Sequence, residues 1–164
     1  MGAEYTNKIK SLLRTNLVAE HAMEFVAAIN DVAYINDSIS ITVEKTWNSL
    51  NSIDGNVILI IGGLDSKNDY SSLVELISKK VTMIITVGSD NTKILNSFLK
   101  TGKEIIAVDS IQDSVELAKK KGCEGDFVLL SPSCPSFHPF DNYKNRGNDF
   151  KRAVNSIMNK NESA

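Results

Sequence analysis

Asp126-Phe127-Val128-Leu129-Leu130-Ser131-Pro132-Ser133-Cys134-Pro135-Ser136-Phe137-His138-Pro139-Phe140 is an apolar run that stops at Leu130 and gives way to hydroxyls, prolines and rings. A short unbroken apolar run bounded by turn residues reads as a strand buried on both faces, the kind a parallel sheet contains. The next ten residues, Asp141-Asn142-Tyr143-Lys144-Asn145-Arg146-Gly147-Asn148-Asp149-Phe150, lead into a helix expected over about 147–158. Open α/β sheets hold their ligands in loops at the carboxyl ends of parallel strands. A loop this long, and this rich in hydroxyls and rings, is more than a connector.

Working outward, the same strand-then-helix rhythm runs back through the chain. The run at 56–61 is continuously apolar and ends at Gly62-Gly63, the pattern of a central strand. Helices expected over 69–79, 91–99 and 112–120 lead into strands at 81–87, 104–108 and 126–130. Residues 42–50 carry Val43, Trp47 and Leu50 on one helical face. Before them, strands at 23–29 and 32–35 flank Asn30-Asp31, a plausible hairpin turn. An amphipathic helix is expected over 7–17, with Ile9, Leu12 and Leu13 on its apolar side, and a frayed polar tail over 159–164. Alternating strands and helices with short connections imply an α/β fold: a Rossmann-like, three-layer domain. Its sheet would be mostly parallel, with the N-terminal hairpin as an antiparallel edge. No repeat or linker divides the chain, so 1–164 reads as a single domain with its core over about 8–158.

Composition narrows the function classes. A chain of 164 residues can bury a full core, and 42% hydrophobic with 23% charged residues is ordinary for a globular protein. A net charge of −2 gives no electrostatic reason to expect nucleic acid or an anionic membrane. Cys123 and Cys134 have neither CxxC spacing nor a histidine cluster beside them, so reduced thiols are expected and no metal site. No apolar stretch approaches the ~20 residues of a membrane span. The opening Met1-Gly2-Ala3-Glu4 lacks signal-peptide character, so a cytoplasmic location is the default. No nucleophile–histidine–acid set and no G-x-x-x-x-G-K-[ST] phosphate loop is present, so no catalytic residue is assigned.

The segment 130–150 resembles the C-terminal signature of the Mur ligases, in the form carried by the D-glutamate-adding enzymes of peptidoglycan synthesis. That signature runs roughly L-S-P-A-C-A-S-F-D-x-F-x-N-[FY]-x-x-R-G-x-x-F. Ser131-Pro132, Cys134, Ser136-Phe137, Phe140, Asn142-Tyr143, Arg146-Gly147 and Phe150 all match. Ser133, Pro135 and His138 depart from it. The resemblance covers about residues 8–158 and corresponds to the last of three ligase domains. It implies that Ser136, Phe137 and Tyr143 surround the carboxylates of D-glutamate. It also implies ATP and magnesium as cofactors of the full ligase, bound mainly by a central ATPase domain. Another domain holds the UDP-sugar. Neither is seen in this sequence. This chain alone is expected to bind no cofactor tightly and to be inactive as a ligase.

Three further segments resemble family turns, each with departures. Gly62-Gly63-Leu64-Asp65-Ser66-Lys67 stands where the family has a glycine pair followed by a carboxylate-binding lysine. The lysine position is Ser66, and Lys67, one residue later, is the D-glutamate-binding lysine that the resemblance implies here. On the residues alone, the glycines merely shape a turn. Asn36-Asp37-Ser38-Ile39-Ser40-Ile41-Thr42 resembles a turn whose acid contacts nucleotide, so Asp37 is the nucleotide-contacting candidate, with helix entry as its structural alternative. Ile39 and Ile41 replace a lysine and a threonine, and isoleucine can neither carry charge nor donate a hydrogen bond. In His21-Ala22-Met23-Glu24, Ala22 replaces an ATP-contacting arginine, and a lone His21 reads as structural. Arg146 is either an ion-pair partner of Asp149 or an anion ligand. Two functions therefore stand: an amino-acid-binding ligase domain, or a divergent binding domain that keeps the scaffold. A dehydrogenase is disfavoured because no G-x-G-x-x-G is present.

Overall fold

The computed structural model describes residues 7, 9, 19–62, 67–135 and 140–162. Its elements alternate as expected: β1 (Glu24–Ile29), β2 (Val32–Asn36), α1 (Val43–Ser52), β3 (Val57–Ile61), α2 (Val74–Lys80), β4 (Val81–Val87), α3 (Thr92–Phe98), β5 (Glu104–Val108), α4 (Ile111–Lys121), β6 (Phe127–Leu130) and α5 (Tyr143–Glu162). Single 3-10 turns, Ser71–Leu73 and Leu99–Thr101, precede α2 and follow α3. Of the helix expected over 7–17, only Asn7 and Ile9 lie among the described residues, and both are helical.

The six strands lie in the order β1-β2-β6-β3-β4-β5. Only the β1–β2 pair is antiparallel, closed by Asn30 and Asp31 at φ 51° and 59°. Two successive positive φ values are what a type I′ hairpin requires, and Asn and Asp tolerate them better than most residues. All other pairings are parallel.

Helix placement follows from handedness. The chain steps from β2 towards β5 through α1, α2 and α3, then returns across the sheet through α4 to β6. If every crossover is right-handed, the returning helix must lie on the opposite face. The core divides accordingly. Leu50, Ile77 and Phe98 from α1–α3 pack on Ala33, Ile35, Leu59 and Leu129. Ile111, Val115, Val154 and Ile157 from α4 and α5 pack on Tyr34, Ile58, Ile60 and Val128. Adjacent strand residues thus feed different layers, and both β3 and β6 are buried along their whole length.

Helix α5 departs from expectation at both ends: it begins at Tyr143 and reaches Glu162, four residues beyond the range 147–158 each way. Asn142 explains the early start, since its Oδ1 accepts the Asn145 amide at 3.0 Å and caps the first turn. At Gly62, φ is 137°, and a side chain there would overlap the Val87 backbone. Glycine lets the tips of β3 and β4 close together.

Candidate functional site

The loops after β2, β3 and β6 meet at the carboxyl edge of the sheet and are stitched by backbone. The Asp37 amide donates to Leu130 O at 2.9 Å, Ser133 N to Ser40 O at 3.0 Å, and Gly62 N to Pro132 O at 3.2 Å. Asn68 adds a side-chain link, donating from Nδ2 to Ser133 O at 2.7 Å. The signature segment is therefore held on both sides before it reaches α5. Ser133 adopts φ 61° to make its turn.

Asp37 is 2% exposed. Its Oδ1 accepts the Met23 amide at 3.1 Å and its Oδ2 the Ser131 hydroxyl at 2.8 Å. Burial pushes the carboxyl above its ordinary value, while the surrounding hydroxyls and the Met23 amide oppose that rise. Ser131 Oγ also lies 2.9 Å from Thr46 Oγ1, which extends the polar knot into α1.

Arg146 is 4% exposed and reaches from α5 across this junction. Its Nε donates to Ser38 Oγ at 3.0 Å, one terminal nitrogen to Ser38 O at 2.8 Å, and the other to Cys134 O at 3.3 Å. The Ser38 hydroxyl donates in turn to Tyr143 O at 2.8 Å. Neutral oxygens thus hold the guanidinium, and among the described residues no carboxylate pairs with it. Burial lowers its pKa from a value so high that it stays charged. Asp149 pairs with Arg152 at 2.9 Å, so the Arg146–Asp149 ion pair is not the arrangement formed.

His21 is structural, as its isolation in sequence suggested. It is buried at φ 70°, its Nδ1 lies 2.9 Å from Asn36 Nδ2, and its amide donates to Glu24 Oε2 at 3.0 Å. That contact makes Nδ1 the acceptor and puts the ring proton on Nε2. Desolvation pulls its pKa below the ordinary 6.5, so the ring is neutral. Its Nδ1 edge lies against Gly147, where any Cβ would collide with it, and the ring sits edge-on to Tyr143 at 6.0 Å between ring centres. Lys151 fastens the same corner through Glu20 at 2.6 Å and Glu24 at 3.3 Å.

The site residues read from sequence are distributed as follows. Tyr143 is half-buried at the start of α5, joined to the Asp37 turn through Ser38. Lys67 is exposed on the loop after β3, next to Asn68. Ser136 and Phe137 lie outside the described residues, as does Ser66. Ile39 and Ile41 are half-buried in the turn after β2. Ser131 and Arg146 stand among the signature matches, but their role as ties of this junction, to Asp37 and Thr46 and to Ser38 and Cys134, was not legible in the sequence. A cavity of about 380 Å³ opens beside the junction, on the α4–α5 side of the sheet. Tyr143, Lys67 and Asp37 do not line it. Among the described residues no group of His, Cys, Asp and Glu could hold a metal. No helix there is long and apolar enough to cross a membrane.

Comparison with known proteins decides the family. The profile described as "Mur ligase, glutamate ligase domain" matches residues 22–134. This chain is a Mur ligase glutamate-ligase domain. A UDP-N-acetylmuramoylalanine–D-glutamate ligase of Cytophaga hutchinsonii is 38% identical over 154 residues, covering 94% of this chain and 34% of the relative. That of Christiangramia forsetii is 41% identical over 138 residues, covering 84% and 31%. The Mur ligase domain thus spans about a third of the length of these relatives. Solved structures agree on the fold. A murein peptide ligase of Psychrobacter arcticus superposes with a TM-score of 0.61 at 12% identity, covering 85% of this chain and 30% of that one. A folylpolyglutamate synthase of Thermotoga maritima gives 0.58 at 13% identity, covering 86% and 32%.

Proposed function

We propose that this domain binds D-glutamate and presents its amine to an activated carboxylate held by other ligase domains. The observation that carries the reading is the junction itself. Three loops converge on the matched signature segment, in a chain whose curated relatives are D-glutamate ligases. In this reading Ser136 and the Phe137 backbone bind a glutamate carboxylate, Tyr143 walls the pocket, and Lys67 supplies charge from the facing loop. Arg146 does not touch substrate; it fixes the start of α5 and so the position of Tyr143. The domain is a substrate holder without catalytic residues of its own, working in the cytoplasm with ATPase and UDP-sugar domains.

ATP and magnesium would act on those other domains, supplying an acyl phosphate for the amine to attack. The residues around the Asp37 turn do not fit a tight nucleotide site. Both Asp37 oxygens are spent on protein donors, Ala22 offers no guanidinium, and Ile39 and Ile41 offer neither charge nor donors.

A titration of the chain with D-glutamate, followed by two-dimensional NMR with L-glutamate as control, tests the reading. Stereoselective shifts at Lys67 and Tyr143, weakened by Ser136→Ala, are expected. Equal response to both enantiomers, or none, overturns it. The half-buried Ile39 and Ile41 favour a second reading, a divergent binding domain that has lost this ligand. Shifts seen only in an Ile39→Lys, Ile41→Thr variant would select it.

A further inference from the structure

The cavity beside the junction has features that the amino-acid reading does not use. The strands β5-β4-β3-β6, with α2 and α3 on one face and the return helix α4 on the other, form an open half-sheet whose direction reverses between β3 and β6. Crevices outside the carboxyl ends of strands at such a reversal are where open α/β sheets take ligands. The cavity lies there, walled by Ile60 of β3, Leu130 of β6, Ile111 of α4 and Phe140. Its volume of about 380 Å³ is near the low end for small-molecule pockets, enough for one ring system and a sugar but not a dinucleotide.

The polar side chains in the cavity lining are Ser89, Asp109, Ser110, Arg146 and Asp149. Ser89 and Asp109, just past the ends of β4 and β5, are exposed and line the cavity. Neither has a hydrogen-bond or ion-pair partner among the described residues. A carboxylate accepts two hydroxyls at once, which suits a vicinal diol. Charge argues against a phosphate. The other acid in the lining, Asp149, is paired with Arg152, and all three nitrogens of Arg146 already donate to Ser38 and Cys134. We propose that this cavity is a nucleoside site: a flat base between Ile111, Phe140 and the strand ends, with its ribose diol on Asp109. The assignment is independent of the D-glutamate reading.

Adenosine titrated into the chain, followed by amide NMR, tests it. Millimolar adenosine is expected to shift the amides of Ser89, Asp109, Ile111 and Phe140. Asp109→Ala, a surface change that leaves the fold intact, should weaken binding about tenfold, the loss of one hydrogen-bonded charge. 2′-Deoxyadenosine should bind the native chain more weakly by a similar factor. Val87→Phe, which fills the cavity from the end of β4, should abolish the shifts. No shift at those four amides overturns the proposal, as do shifts confined to the Asp37 turn or equal binding by Asp109→Ala. D-Glutamate run on the same sample reads Lys67 and Tyr143 instead, so either ligand can fail without the other.

Discussion

At the scale of single residues, the junction rests on buried polar atoms that have no spare partners. Asp37→Ala would strip Met23 N–H of its acceptor and leave the Ser131 hydroxyl with Thr46 Oγ1 alone. A buried hydrogen-bond loss of this kind costs about 2–3 kcal/mol, read as a lower urea midpoint at unchanged slope. Gly147→Ala sets two effects against each other. Alanine favours the helix by about 1 kcal/mol, but overpacking His21 costs about 1–3 kcal/mol, so a net loss of stability is expected by thermal melting. His21 also sets a pH response. Its folded pKa is depressed below 6.5, so the unfolded chain takes up the proton first as pH falls. Stability is then full above 6.5 and declines as pH drops through and below that value. The decline should be blunted in His21→Gln, measured by urea titration across pH 7 to 5. Little of this was legible in sequence. A lone histidine and an aspartate beside a turn announce neither burial nor partners, because those partners lie in distant segments: Ser131 is 94 residues from Asp37.

Elements were far more legible, since their causes are local. β4 and β5 fall where the apolar runs place them, but the cap of α1 is Thr42, not Asp37, whose carboxylate is turned to Met23 and Ser131 instead. α5 was read too short because the reading began from Gly147 and overlooked Asn142, a capping residue five positions earlier. Ser110 caps α4 in the same way, accepting the Asp113 amide at 3.0 Å and donating to its carboxylate at 2.6 Å. Ser110→Ala should cost about 1 kcal/mol, or about 2–4 °C in melting temperature for a domain of this size. Strand neighbours are another matter. Periodicity announces that a strand exists, while the insertion of β6 between β2 and β3 depends on pairings made across the whole chain.

For the molecule as a whole, the two helical layers leave β3 and β6 without solvent on either face. Their amides should exchange with deuterium most slowly, and those of the edge strand β5 faster, because opening the centre requires opening everything around it. Comparable protection in β5 and β3 would contradict the layer description. The other consequence concerns how force enters the domain. Residues 20–24 are bolted to α5 through Lys151, Gly147 and the His21–Tyr143 contact. Torque applied ahead of residue 19 therefore has a route to Tyr143 through these contacts, without crossing the sheet. Any body attached there would swing Tyr143, the wall of the proposed pocket, as a crank turns its shaft.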